Sequence, residues 1–215
     1  MPPDPADPSR PALLLHGDYE YLSEGYYACI EAEENGLDAI PTCADALDAY
    51  TVPLALERAR LAGLATPTWT FTNGHFQTPA VLYGVNPFAR SYVVVHDADE
   101  RQGASDKISR QGKYVMCCQT LPPGAKLPEF EAIFGKSPDE RWSTWAQAIF
   151  RVFALPLCKV RIIECEDGST FLSAIERLPQ SRLSKAGRAL LATAVSEFAL
   201  SNLKTSIDKG EELHG

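Results

Sequence analysis

The feature that most constrains the fold is an abrupt change of hydrophobic pattern near the start of the chain. The apolar run Ala12-Leu13-Leu14-Leu15 gives way at His16-Gly17-Asp18 to polar and aromatic residues, then to an acidic stretch that stops at Asn35-Gly36. A strand over 12–16 feeding a helix over 22–35 is the simplest reading. Ser23 is then the N-cap, and Glu31, Glu33 and Glu34 solvate the outer face. A strand at 37–40, a helix over 44–50 broken by Pro53, and a further helix over 54–62 ended by Gly63 complete a β-α-β-α opening. This opening predicts a mixed, mainly parallel sheet and an α/β (α+β) class.

Residues 66–127 read as an extended β-rich insert, with strands at 69–72, 81–83, 91–96 and 113–118. The charged stretch 97–112 carries few apolar residues and reads as a mobile loop. The C-terminal part reads as a helix-hairpin-helix unit. Ser137-Pro138-Asp139-Glu140 has the form of a capping box, and Trp142, Trp145, Ala146, Ile149, Phe150 and Phe153 follow at helical spacing, so both tryptophans belong to a core face. Pro156 ends that helix. Strands over 157–165 and 170–176 flank an Asp167-Gly168 turn, with Leu157, Lys159 and Arg161 on one face and Cys158, Val160 and Ile162 on the other. A last helix over 182–202 buries Leu183, Leu190, Leu191, Ala194, Val195 and Phe198. The expected organisation is one domain over 12–203 between a disordered proline-rich arm, 1–11, and a flexible tail, 204–215.

A chain of 215 residues, 45% hydrophobic and 22% charged, can bury one substantial core. Its net charge of −8 argues against nucleic-acid and anionic-membrane surfaces. Its apolar runs are too short to cross a bilayer, and the arm has neither the cationic nor the apolar region of a signal peptide. Six cysteines, at 29, 43, 117, 118, 158 and 165, do not make a disulfide scaffold in a chain of this size, and with no C-x-x-C pair neither a zinc ribbon nor a thioredoxin-type redox site is indicated. These features predict a cytoplasmic protein with small-molecule or protein partners, a homodimer being permitted, and no cofactor or metal.

No phosphate loop, dinucleotide fingerprint, nucleophile elbow or zincin motif occurs. The densest polar-aromatic cluster is Asp18, Tyr19, Tyr21, Ser23, Gly25, Tyr26 and Tyr27. It is either a ligand-binding edge, where free helix N–H groups favour a carboxylate or phosphate, or a packing joint capped by Asp18 and Ser23. A Cys/His/Asp hydrolase or a metal site could be drawn from His96, Asp97, Asp99, Cys117 and Cys118 if strands 91–96 and 113–118 pair, although adjacent cysteines point to opposite faces of a strand, and nothing in the spacing demands that His75 or His16 join them. Asn73, Gly74, His75, Asn86, Pro87 and Arg90, with Lys107, Arg110 and Lys113, could line an anion pocket or simply be solvated loop residues.

The run Tyr19-Glu20-Tyr21-Leu22-Ser23-Glu24-Gly25-Tyr26-Tyr27, followed by Ala32-Glu33, Gly36 and Ile40-Pro41, resembles the RimK-like ATP-grasp N-terminal domain. Ile133-Phe134-Gly135-Lys136, Phe150-Arg151-Val152-Phe153, 155–160 and Ser173-Ala174-Ile175 are similar to later elements of that family, so the resemblance covers a little over half the chain. It departs in lacking a strand-helix segment before the aromatic motif and in the length of 66–127. The resemblance implies an α+β domain usually fused to an ATP-grasp carboxylate-amine ligase for amino acids or peptides. It transfers no catalytic residue. ATP-grasp catalysis requires lysines for phosphates and acidic metal ligands, which nothing after Asn202 could supply. The expectation is a non-catalytic accessory or substrate-recognition domain that binds an amino acid or peptide, or docks on a separately encoded ligase. A small stand-alone enzyme using the site near 96–118 is the alternative.

Overall fold

The computed structural model describes residues 11–85 and 91–212, with side chains in the last helix as far as Phe198. The described residues form six helices and three separate sheets, an α+β architecture. The arm at 1–10 and residues Asn86, Pro87 and Arg90 of the proposed anion pocket lie outside them.

β1 (Pro11–Leu13) pairs in parallel with β2 (Asp38–Ile40) across α1 (Glu24–Glu34). Ser23 caps α1, its Oγ accepting from the Tyr26 N–H at 3.2 Å. Gly36, at φ +72°, closes the helix by letting the Leu37 N–H reach the Ala32 carbonyl at 3.0 Å. α2 (Cys43–Tyr50) is capped by Thr42 and meets α3 (Val52–Leu61) at Thr51. Pro53 sits in the first turn of α3, where its missing N–H is harmless, so the break falls before the proline.

Among the described residues β1 and β2 make the one parallel pair. The expected mainly parallel sheet is replaced by two antiparallel ones, because the connections between later strands are mostly hairpins and short turns. β3 (Trp69–Thr72), β4 (Ala80–Gly84), β5 (Tyr92–Val95) and β6 (Met116–Thr120) assemble in the order β3-β6-β4-β5. The stretch expected as a loop contains α4 (Arg101–Ser109). Its sparse apolar residues, Ala104 and Ile108, are one turn apart and pack against Ala80, Leu82, Val95, Met116 and Cys118. Average composition concealed that pairing.

β7 (Glu129–Ile133), β8 (Leu157–Glu164) and β9 (Thr170–Glu176) form the third sheet in chain order. The β8–β9 turn has Gly168 at φ +83°, and the Asp167 carboxylate accepts from the Ser169 N–H at 2.9 Å. A 3₁₀ turn over Glu140–Trp142, capped by Asp139 rather than Ser137, leads into α5 (Ser143–Phe153). Trp142 is buried and stacks on Phe130 at 5.2 Å, while Trp145 donates from Nε1 to Thr170 Oγ1 at 3.1 Å. α6 (Lys185–Glu212) starts after the 3₁₀ turn Gln180–Arg182 and continues through most of the expected tail.

One main core joins Val81, Tyr83 and Cys117 of the second sheet to Phe130, Val160 and Ile162 of the third and to Leu56, Ile149 and Phe153 of the helices. The segment 66–127 therefore contributes to the same core as the rest. At the opening junction, Tyr19 is fully buried and donates to the Leu14 carbonyl. Ser23 donates to the Asp18 carbonyl at 3.0 Å, and a Cβ at Gly25 would collide with that same oxygen. Ser23→Ala is expected to lower stability by about 1 kcal/mol through the lost cap. Tyr27→Ala, at an exposed ring, should change it by less than about 0.5 kcal/mol; urea unfolding of both variants checks the contrast.

Candidate functional site

The alternation of β8 carries Cys158 and Val160 into the main core and turns Lys159 and Arg161 to the opposite face. The register places Glu129 of β7 opposite Arg161 and Glu176 of β9 opposite Lys159. Arg161, 1% exposed, is the largest fully buried side chain among the described residues. Its guanidinium pairs with both carboxylates, donating from Nε to Glu129 at 3.0 Å and lying 2.6 Å, through Nη2, from Glu176. Lys159 Nζ bridges the same two acids at 2.7 and 3.1 Å.

A hydrogen-bond chain runs from this cluster into the second sheet. Arg161 Nη1 donates to the Tyr83 hydroxyl at 3.2 Å, and that hydroxyl lies 2.7 Å from Ser173 Oγ. Ser173 Oγ donates to Gln119 Oε1 at 2.8 Å, so Tyr83 is the donor to Ser173. Gln119 in turn donates to the Ser173 carbonyl at 2.8 Å. Tyr92, stacked on Tyr83, covers the guanidinium with its ring centroid 3.6 Å from Cζ. Besides β8 and β9, four strands take part: β4 supplies Tyr83, β5 Tyr92, β6 Gln119 and β7 Glu129.

Burial opposes ionisation of Glu129, but hydrogen bonds from Lys159 and Arg161 outweigh it and hold the carboxyl below its ordinary value. Burial likewise disfavours the charged forms of Lys159 and Arg161, yet their acidic neighbours, with Tyr83 for Arg161, raise both. Burial pushes the Tyr83 hydroxyl up to about 12.

Beside the cluster lies a cavity of about 160 Å³, bounded by Glu20, Tyr50, Tyr83, Tyr92, Lys159, Glu176, Arg177 and Arg182. It is well above the ~10–15 Å³ needed for one water and smaller than drug-sized pockets of ~300–1,000 Å³. The opening segment reaches it through Glu20, and Asp18 accepts from Arg177 at 2.8 Å. Of the predicted binding edge, Tyr19, Ser23 and Gly25 serve the junction. Tyr21, Tyr26 and Tyr27 form an edge-to-face series at the surface, with centroids 5.4 and 6.5 Å apart. Among the described anion-pocket residues, Asn73, His75, Lys107, Arg110 and Lys113 are exposed, and neither they nor Gly74 line this cavity.

The structure does not bring His96 and Asp97 to Cys117 and Cys118. β5 pairs with β4, and β4 separates it from β6. His96 follows Val95, which lies level with Thr120, three residues along β6 from Cys117. Cys117 faces the main core and Cys118 the α4 side. Burial raises their thiols to about 12 and 11, first through desolvation. Among the described residues no group of three or more His, Cys, Asp or Glu could hold a metal ion.

The sequence reading missed Arg161, Tyr83, Glu129 and Glu176. The available signal was two cations at i and i+2 in a strand otherwise made, up to its terminal Glu164, of Leu, Cys, Val and Ile. Burial of a charge requires partners, and two strand glutamates were the candidates.

Two outcomes test this geometry. Cys117 and Cys118 should resist a thiol reagent at neutral pH until the protein is unfolded, as peptide mapping would show. Arg161→Met should cost about 3 kcal/mol or more, because it leaves buried-side carboxylates short of a partner. Glu129 is depressed in the folded state, so its contribution is present above the ordinary 4.5 and is lost as pH falls below it. The variant's deficit should therefore narrow on acidification, measured by denaturant titration across that range.

No protein-family model matches the chain, and no curated protein matches it. Its fold is similar to solved ATP-grasp ligases. A RimK domain protein ATP-grasp from Sphaerobacter thermophilus superposes with a TM-score of 0.58 at 15% identity, over 78% of this chain and 72% of that one. D-Alanine-D-alanine ligase from Helicobacter pylori gives 0.55 at 13%, over 72% and 59%. ATP-grasp ligase PsnB, solved with a phosphomimetic variant of minimal precursor, Mg and ADP, gives 0.55 at 15%, over 80% and 66%. The chain thus spans 59% to 72% of the length of these ligases, and the likeness is one of fold.

Proposed function

We propose that this chain is a non-catalytic accessory module of ATP-grasp fold, which recognises an amino-acid or peptide substrate for a separately encoded ATP-grasp ligase. The observation that carries the reading is the neutralisation of Glu129 and Glu176. Both carboxylates are shared between Lys159 and Arg161. A divalent cation placed on them would have to displace a buried guanidinium and leave it unpaired, at a cost of several kcal/mol. Carboxylates committed in this way are poorly suited to carrying a metal–nucleotide complex. The fold likeness supports the ligase association, and the cavity supports recognition of something small.

The net charge of −8 agrees with a chain that works away from anionic surfaces, and no helix among the described residues is long and apolar enough to cross a membrane. We place the module in the cytoplasm on that reading. The test mixes the purified chain with ATP-grasp ligases encoded in the same genome. Co-purification and a changed ligation rate are expected, while the chain alone with Mg–ATP and free amino acids should release no ADP above buffer. ADP release by the chain alone, abolished in Arg161→Met or Glu176→Gln, would sink the non-catalytic reading. Absence of any ligase association would sink the accessory one.

A further inference from the structure

Most charges around the cavity are already committed. Lys159 pairs with Glu129 and Glu176, and Arg177 pairs with Asp18. Two further lining groups, Tyr50 and Arg182, bear on what the cavity could hold. The Tyr50 hydroxyl is buried and has no hydrogen-bond partner, and Tyr50 closes α2 at the inner wall. The Arg182 side chain, exposed on the turn after β9, makes no ion pair or hydrogen bond among the described residues.

These two groups differ in what they ask of a ligand. Arg182 offers a planar fork of donors, the geometry that suits a carboxylate. Tyr50 offers an oxygen that can accept as well as donate, in a wall whose electrostatics are acidic. Burial first, then Cys158, Tyr19 and the carboxylates of Asp18 and Glu20, keep its proton on well above the ordinary tyrosine value. A neutral hydroxyl facing acidic neighbours favours an ammonium group over an anion. A single uncommitted cation is also too little for a polyphosphate, and about 160 Å³ leaves no room for an extended peptide.

We propose that the cavity binds a small zwitterion the size of a free amino acid, its carboxylate on Arg182 at the rim and its ammonium beside Tyr50 and Glu20 within. This assignment rests on the recognition reading above and narrows it from amino acid or peptide to a free amino acid. Beyond the acidic corner at Tyr50, the lining acids Glu20 and Glu176 are matched in number by the lining cations Lys159 and Arg177, so a zwitterion meets little net charge there. The variant Tyr50→Phe keeps the ring and removes only an oxygen that the fold leaves unmet. It should therefore fold with unchanged or raised thermal stability, so that its binding reports the ligand contact alone.

The experiment is isothermal titration of the full chain with L-alanine, L-glutamate and L-lysine, each beside its amide and its N-acetyl derivative. At least one free amino acid should bind. Its amide and N-acetyl forms should bind at least tenfold more weakly, as should the parent ligand to Arg182→Gln, with a several-fold loss in Tyr50→Phe. Failure of all three amino acids to bind, equal binding of an amide, or binding unchanged in both variants would overturn the assignment. A chain that associates with a ligase yet binds no amino acid loses this inference alone. A chain that binds an amino acid but no ligase loses the partnership and keeps the site.

Discussion

A single guanidinium in the middle of an apolar strand fixes how the two antiparallel sheets meet. Arg161 is 1% exposed, and a buried charge is tolerated only where opposite charges and hydrogen bonds surround it. Glu129 and Glu176 must therefore lie on the strands either side of β8, and Tyr83 must approach from β4. Slipping β8 by one residue against its neighbours would turn Lys159 and Arg161 into the core now filled by Cys158 and Val160. The register of the third sheet and its docking on the second thus follow from the same requirement. The irregularity between Arg161 and Ile162 fits this account, since it lets the strand continue as apolar on both faces once the charged pair has been placed.

What the sequence disclosed and what it withheld divide along the range of the interactions involved. Ser23, Gly36, Thr42, Gly63 and the Asp167-Gly168 turn act within a few residues of themselves, and each ends or begins an element close to where the sequence predicts. Strand order is different. β5 and β6 are the two strands flanking α4, yet β4 lies between them, and no local pattern in a run such as Tyr92-Val93-Val94-Val95 states which neighbour it takes. The Cys/His/Asp arrangement depended on that pairing and is dispersed by it. The sequence gives alternation along β8, but alternation assigns faces and not depth, so Arg161 read as an ordinary polar-face residue while both faces were buried.

The opening junction shows the same distinction at one site. Its crowding of polar and aromatic residues was legible, and two uses of them were open. Tyr19 is enclosed, Ser23 is both cap and donor, and Gly25 leaves no room for a side chain against Asp18. These three hold α1 on the chain that precedes it. Asp18 and Glu20 alternate with them and face the other way, toward Arg177 and the cavity. One short segment therefore does both jobs with interleaved residues, so joint and edge are not exclusive. Its rigidity would position Glu20 for whatever the cavity holds.

Likeness of fold at 13–15% identity conveys the arrangement of sheets and helices but not the charges placed upon them. In this chain those charges form a closed set. Glu129 is held below the ordinary carboxylate value, while Lys159 and Arg161 are held above theirs. The directions are mutually reinforcing, so the ion-paired state spans the whole interval between carboxylate and lysine titration. A set that neutral pH cannot perturb is a structural fixture rather than a switch, and it presents little net charge to a ligand. Recognition is left to the groups outside that set, which is why an unmet hydroxyl on α2 and an unpaired guanidinium beyond β9 matter more here than the larger cluster between the sheets.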